Sequence, residues 1–210
     1  MAAVRNAAGA WEVMQFANAE LVGERTYELS RLLRGQAGSE WAIAAPLAAG
    51  APFVVLDQYV LAVARGLDDI DRPMQLRIVA ANRDYGDPAA VALAVTPQPI
   101  ALKPVTPVHV RGRRTGAGIE IGWIRRTRID GDNWTSGDVP LGEDAEAYEV
   151  DILSGTTVLR TLESSAPSVL YAAAAEMADF GVQQTSLAVR VTQLSATVGR
   201  GFAAEATLVL

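Results

Sequence analysis

Apolar and polar residues alternate along several short segments in the second half of the chain. A period of two places apolar side chains on one face of a strand and polar side chains on the other. The pattern predicts strands at residues 108–110, 119–123, 148–152, 157–159, 187–191 and 206–210. Six or seven strands in about 105 residues, with a tryptophan on an early strand, are typical of an immunoglobulin-like or fibronectin type III-like sandwich.

One segment of this half breaks the alternation. Residues 171–181 are rich in alanine and other helix formers and end at Gly181, so we expect a short helix inserted between strands. The first half is less regular, and its apolar runs are separated by turn-forming residues. These runs predict strands at residues 11–16, 26–33, 53–57, 74–80 and 91–96. We therefore expect a compact β-rich domain there, of unspecified topology.

Prolines mark the boundary between the halves. Four of the ten prolines lie between residues 97 and 107. Because proline cannot donate to a strand ladder, residues 96–107 are predicted to form an extended connector. The sequence thus predicts a mainly β protein of two tandem domains, a β-rich domain at 1–103 and a sandwich at 104–210.

Composition excludes several classes of function. The chain has 210 residues, of which 50% are hydrophobic and 20% charged, and this balance is typical of a globular protein. Its net charge of −6 argues against a dedicated binder of nucleic acid or anionic membranes, since both need positive surface potential. No apolar run approaches the roughly 20 residues that span a bilayer, and the N-terminal residues lack a signal-peptide core. The first strand begins as an internal strand would, so we expect a piece of a longer protein.

The rarity of cysteine and histidine bears on catalysis. Without cysteine, thiolate chemistry and zinc–thiolate sites are excluded, and the single histidine, His109, makes a multi-histidine metal site or a Ser/His/Asp triad improbable. We expect no cofactor, no metal and no enzymatic activity. A pair of carboxylates would still suffice for a glycosidase.

An acidic cluster and two tryptophans are the candidate binding residues. Asp130 and Asp132 flank a glycine within a long loop at 129–144, and Trp134 follows them. The spacing does not fit an EF-hand, and a turn accounts for the cluster. Trp134 and Trp41 could stack on sugars or on a protein partner, whereas the alternative for Trp134 is that it pins the loop onto the sandwich.

Charge is segregated in the second half. Residues 111–128 contain six arginines and one glutamate, whereas residues 130–151 contain eight acids and no base. The acids would cancel the field of the arginines, so a nucleic-acid site is disfavoured. We expect ion pairs within the chain or between subunits, since arginine suits bidentate contacts with carboxylates.

Segments in both halves, in the same order, resemble one family. They are residues 11–16, 19–22, 26–40, 123–134, 139–143, 146–152 and 179–181. They are similar to the C-terminal region of the large tail-tip proteins, also called megatron or host-specificity proteins, of alphaproteobacterial gene transfer agents and related siphophages. These proteins are much longer and carry further domains upstream. No motif here matches a catalytic residue of the family.

The resemblance implies a baseplate component that helps a tail engage the cell envelope and deliver DNA. It implies a homotrimer around the tail axis, contacts with other tail proteins, and a place in a virion or gene-transfer-agent particle that is assembled in the bacterial cytoplasm. The alternative is a carbohydrate-binding module that recognises a cell-surface glycan through Trp134 or Trp41. A hydrolase of envelope polymers is the weakest hypothesis.

Overall fold

The computed structural model describes residues 1–131 and 138–210 and is mainly β. Its contacts divide the chain into two units. Residues 1–55 and 101–210 form the first unit, and residues 56–100 form the second.

The first unit begins with a four-stranded antiparallel sheet in the order β3-β2-β1-β4. Its strands are β1 (Ala2–Arg5), β2 (Trp11–Gly23), β3 (Thr26–Gln36) and β4 (Phe53–Val55), with a 3₁₀ turn at Glu40–Ala42. Only Ala2, Val4 and Met14 form its buried apolar cluster. This sheet therefore buries little apolar surface for its size.

The rest of the first unit is a sandwich of two antiparallel sheets. Its elements are β7 (Val108–Thr115), β8 (Gly118–Ile124), β9 (Tyr148–Ser154), β10 (Thr157–Ser164), β11 (Ser168–Ala172), α1 (Ala173–Phe180), β12 (Ser186–Ser195), β13 (Gly199–Arg200) and β14 (Ala204–Val209). One sheet has the order β11-β8-β7, and the other has the order β10-β9-β12-β14, with β13 paired to the end of β12. This three-plus-four arrangement is a fibronectin type III-like sandwich, as the sequence predicts.

The alternating residues of the two sheets form the sandwich core. Trp123 of one sheet meets Tyr148 of the other edge to face, with ring centroids 4.9 Å apart. The fully buried aliphatic side chains around them are Ile119, Ile121, Val150, Ile152, Leu187, Val189 and Val191. The apolar residues that recur at every second position of these strands are therefore the residues that face this core.

The second unit contains one antiparallel pair, β5 (Met74–Ile78) with β6 (Val91–Val95). A 3₁₀ turn at Leu67–Asp69 precedes it. A further 3₁₀ turn at Ile100–Leu102 lies within the predicted connector 96–107, so this connector is not extended throughout as predicted.

The predicted strands are all confirmed, whereas β1, β11 and the two-residue β13 are strands that the sequence pattern does not predict. The predicted helix is confirmed as α1, but residues 171 and 172 belong to β11. Gly181 ends α1 in the left-handed region, at φ 72°. The predicted domains, 1–103 and 104–210, differ from the two contact units because residues 1–55 group with the sandwich.

Candidate interaction surface

Trp41 lies in the first 3₁₀ turn and packs on the sandwich. Its ring stacks on that of Phe202, with centroids 5.4 Å apart and planes 4° from parallel. The side chain remains 39% exposed. One ring face is thus used within the fold, which sequence reasoning missed because the two residues are far apart along the chain.

The other candidate residues belong to the loop that follows β8. Asp130 is exposed and has φ 48°, so its backbone adopts the left-handed conformation common at Asp in turns. Asp132 and Trp134 lie outside the described residues. Among the described residues, the aromatic partner of Trp41 is Phe202 and not a residue of the loop that carries Asp130.

The ion pairing predicted for the charge blocks is confirmed within the chain. Five of the six arginines contact carboxylates. The pairs are Arg113–Glu120 (2.6 Å), Arg114–Glu176 (2.9 Å), Arg125–Asp138 (3.2 Å), Arg126–Glu40 (2.6 Å) and Arg128–Glu143 (3.2 Å). The Arg126–Glu40 pair joins the sandwich to the 3₁₀ turn that carries Trp41, so an ion pair and an aromatic stack hold the first sheet against the sandwich.

Buried carboxylates stabilise the same unit. Glu12 on β2 is fully buried and accepts hydrogen bonds from Arg34 Nε (2.8 Å) and from the Gly35 backbone N–H (3.3 Å). Glu176 on α1 is also fully buried, and it accepts from Arg114 and from the Gln184 backbone N–H. The hydrogen bond from Arg114 holds the pKa of Glu176 below its usual range, because it favours the charged form. Both buried carboxylates therefore accept hydrogen bonds from groups of the same unit and stabilise its fold.

An exposed β-hairpin extends from the first sheet. Strands β2 and β3 pair from Phe16 opposite Leu32 to Gly23 opposite Thr26, whereas β1 pairs with β2 only from Trp11 to Met14. We call residues 16–32 the hairpin arm. A two-stranded ribbon is only marginally stable by itself and gains stability when another strand or surface covers its apolar face.

The register of the hairpin arm gives its two faces different chemistry. Ala19 lies opposite Leu29, and Leu21 lies opposite Tyr27, which makes one face apolar. Leu21 is 63% exposed and Tyr27 is 59% exposed. On the other face, Asn18 is paired with Ser30, and Glu20 lies directly opposite Glu28.

The apolar face continues into a concavity beside β4. The concavity has a volume of about 450 Å³ and is lined only by apolar and aromatic residues. They are Phe16, Ala19, Tyr27, Leu29, Phe53 and Val55. Contiguous exposed apolar surface of this kind marks sites of protein–protein contact.

Across residues 1–131 and 138–210, no helix is long and apolar enough to cross a membrane. The same residues contain no group of three or more His, Cys, Asp or Glu side chains arranged to hold a metal ion.

Residues 1–54 match the family model described as Rcc01698-like, C-terminal. This match is consistent with a protein family related to gene transfer agents and phages. It covers β1 to β3 and nearly all of β4, and therefore the whole hairpin arm. No curated protein matches the chain significantly.

Two solved structures share distant similarity with the chain. The spore cortex lytic enzyme SleM of Clostridium perfringens is 14% identical, with a TM-score of 0.33, over 51% of this chain and 29% of SleM. The chain thus matches less than a third of the length of that enzyme. Domains d3-d4 of the rat CD45 extracellular region are 10% identical, with a TM-score of 0.37, over 92% of this chain and 94% of that one. These scores are too low to bear on function.

Proposed function

We propose that the chain is a structural component of a phage-like tail tip or baseplate, and that the hairpin arm is its assembly surface. The observation that carries this proposal is the position of the arm. Its unpartnered apolar face lies within residues 1–54, the segment that matches the Rcc01698-like family model. The resemblance of further segments in both halves to tail-tip proteins supports the same function.

In this proposal the chain contributes to contact with the host envelope and to DNA delivery, and it does no catalysis. Its partners are other tail proteins and two further copies around the tail axis, in a virion or gene-transfer-agent particle assembled in the cytoplasm. The exposed apolar face of the hairpin arm fits such a role, because an assembly component completes its apolar contacts only in the particle.

The test is peptide mass spectrometry on purified tail particles from a strain that encodes either the natural sequence or a variant. We expect peptides from residues 1–210 in natural particles and their loss with Leu21→Asp, which places a charge on the apolar face of the arm. Val209→Asp is the matched control, since Val209 is 85% exposed on the sandwich edge strand β14. Detection of the chain only as free protein, never in particles, would contradict the proposal.

A carbohydrate-binding module is the second candidate, favoured by the exposed fraction of Trp41. A sugar that stacks on this ring would bind opposite Phe202 and change the tryptophan fluorescence. Titration with capsule and lipopolysaccharide fragments tests this candidate. A fluorescence change that persists in Trp41→Leu would exclude Trp41 as the platform, and the absence of any change would exclude the module.

A further inference from the structure

We propose that the outer face of the β11-β8-β7 sheet carries a binding site for a sugar acid, whose carboxylate binds Arg111. The site involves neither the hairpin arm nor Trp41. It adds recognition of a small ligand to the proposed structural role and does not depend on that role.

A cleft of about 550 Å³ lies on the outer face of this sheet. Its volume is within the range of small-ligand sites, roughly 300–1,000 Å³. Residues that pair across the three strands line the cleft in two neighbouring rows. They are Arg111, Gly122 and Ser168 in one row and Arg113, Glu120 and Leu170 in the next. We call this feature the Gly122 cleft.

Gly122 forms the floor of the cleft because it has no side chain on the outer face. Its neighbours Ile121 and Trp123 are buried in the core, so residue 122 faces outward. Among the described atoms, a β-carbon on Gly122 would have only the Pro167 carbonyl oxygen within 4 Å, at 3.9 Å, and its φ is not positive. The fold therefore does not require glycine here. Glycine inside a strand often marks a place where a ligand approaches the backbone closely.

A β-bulge places Arg111 at this cleft. The pairing of β7 with β8 shifts between Val108 and Arg111, where β7 has one extra residue. His109 lies in the bulge and has φ 53°, in the left-handed region. Without the extra residue, Val110 would lie opposite Gly122, whereas with it Arg111 does. The bulge thus brings a guanidinium to the outer face, and bulges are common beside functional sites for this reason.

The charges of the cleft favour a ligand with one carboxylate. Five of the six arginines in residues 111–128 contact carboxylates, and Arg111, the sixth, has no ion-pair partner within residues 1–131 and 138–210. Its planar guanidinium suits bidentate binding of a carboxylate. Arg111 and Arg113 against Glu120 leave one net positive charge. This charge matches one carboxylate better than a phosphate monoester, whose charge is about −2.

The other polar groups favour a ligand that also carries hydroxyls. Glu120 accepts a hydrogen bond from Arg113 through Oε2 at 2.6 Å, and its side chain remains 51% exposed. An ionised carboxylate only accepts, so a ligand that binds Glu120 has to donate. The two rows of the cleft are about 6.6 Å apart along the strands, a distance that one pyranose ring can span. A sugar acid supplies the carboxylate and the donors together, whereas an Asp or Glu side chain supplies no donor.

NMR titration of the ¹⁵N-labelled 210-residue chain tests the proposal. The probes are glucuronate, glucose, inorganic phosphate and the capped tripeptide acetyl-Gly-Glu-Gly-amide, all at constant ionic strength. We expect glucuronate to shift the amide signals of residues 111–113, 120–122 and 168–170. It should bind about tenfold more tightly than glucose, because glucose lacks the group that hydrogen-bonds to the guanidinium.

Two variants locate the bound ligand. Arg111→Gln removes the charge and should weaken glucuronate binding about tenfold. Gly122→Ala fills part of the floor and should also weaken binding, while its urea midpoint stays equal or rises, because alanine suits a strand better than glycine. Loss of binding in this variant is therefore not loss of structure. Arg77→Gln on β5 is the control for an exposed arginine on a strand, and it should bind as the natural chain does.

The other outcomes overturn the proposal. No shift at the cleft residues, or glucuronate binding that is unchanged in Arg111→Gln, would remove the site. Phosphate that binds as tightly as glucuronate would replace the sugar acid with a simple oxyanion. Tighter binding of the tripeptide would replace it with a carboxylate of a protein partner. None of these results depends on tail particles, so they are distinguishable from failure of the proposed function.

Discussion

Gly118 lies directly against the backbone carbonyl of Tyr171. A β-carbon on Gly118 would be 2.2 Å from that oxygen and 2.7 Å from the Ala173 nitrogen. Gly118 also has φ 144°, which L-residues rarely adopt. At this point β11 passes into α1, and the Ala173 N–H donates to the Ala117 carbonyl at 2.9 Å. The glycine thus allows the helix to dock on the β7–β8 hairpin.

We therefore expect Gly118→Ala to destabilise the sandwich by about 3 kcal/mol or more, through the clash and the strained backbone together. Gly116→Ala is the matched control in the same hairpin, because no atom lies within 4 Å of its β-carbon position. Urea unfolding followed by circular dichroism measures both variants. Equal midpoints for Gly118→Ala and Gly116→Ala would contradict the predicted packing.

Acid should weaken the attachment of α1. The pKa of Glu176 is lowered mainly by its hydrogen bond from Arg114, so the folded state favours the ionised carboxylate. A lowered folded-state pKa contributes stability that is present above the ordinary glutamate pKa of about 4.3 and is lost as pH falls through the folded value.

The variant Glu176→Gln should be less stable than the natural chain at pH 7 and should converge with it below about pH 4. Urea midpoints recorded from pH 2.5 to 7 test this. A difference between the two proteins that is constant with pH would show that the charge of Glu176 contributes nothing to stability.

The buried Glu12–Arg34 pair should be the strongest polar contribution to the first sheet. Glu12→Gln leaves the Arg34 guanidinium without its counter-charge, and breaking a buried pair costs about 3 kcal/mol. The exposed change Glu163→Gln is the control. Hydrogen exchange at the β2 and β3 amides reports the loss locally, and unchanged exchange in Glu12→Gln would contradict the prediction.

The stack of Trp41 on Phe202 should determine how firmly the 3₁₀ turn is held. In Trp41→Ala we expect faster exchange of the Ala42 and Ile43 amides, which donate to the carbonyls of Ser39 and Glu40. Trp11→Ala is a suitable control, since Trp11 is an exposed tryptophan on β2 of the same sheet. Similar exchange in the two variants would mean that the stack does not stabilise the turn.

The sequence predicts the sandwich well because alternation is a local signal and its core is made of alternating residues. It predicts less where that signal is short or absent. β1 has only four residues, two of them alanine, and the predicted strand 11–16 stops short of residues 17–23, whose alternation rests on small side chains such as Ala17 and Ala19. Trp41 was a reasonable binding candidate by residue type, but its partner Phe202 is remote in the chain.

The two contacts that join the first sheet to the sandwich have a consequence for inheritance. Trp41 depends on Phe202, and Glu40 depends on Arg126, so selection acts on each pair together. In related chains we expect residues 41 and 202 to change jointly, and likewise residues 40 and 126. A relative that joins this first sheet to a different C-terminal domain would lose both Phe202 and Arg126. We expect residue 41 of such a relative to be aromatic no more often than other exposed positions.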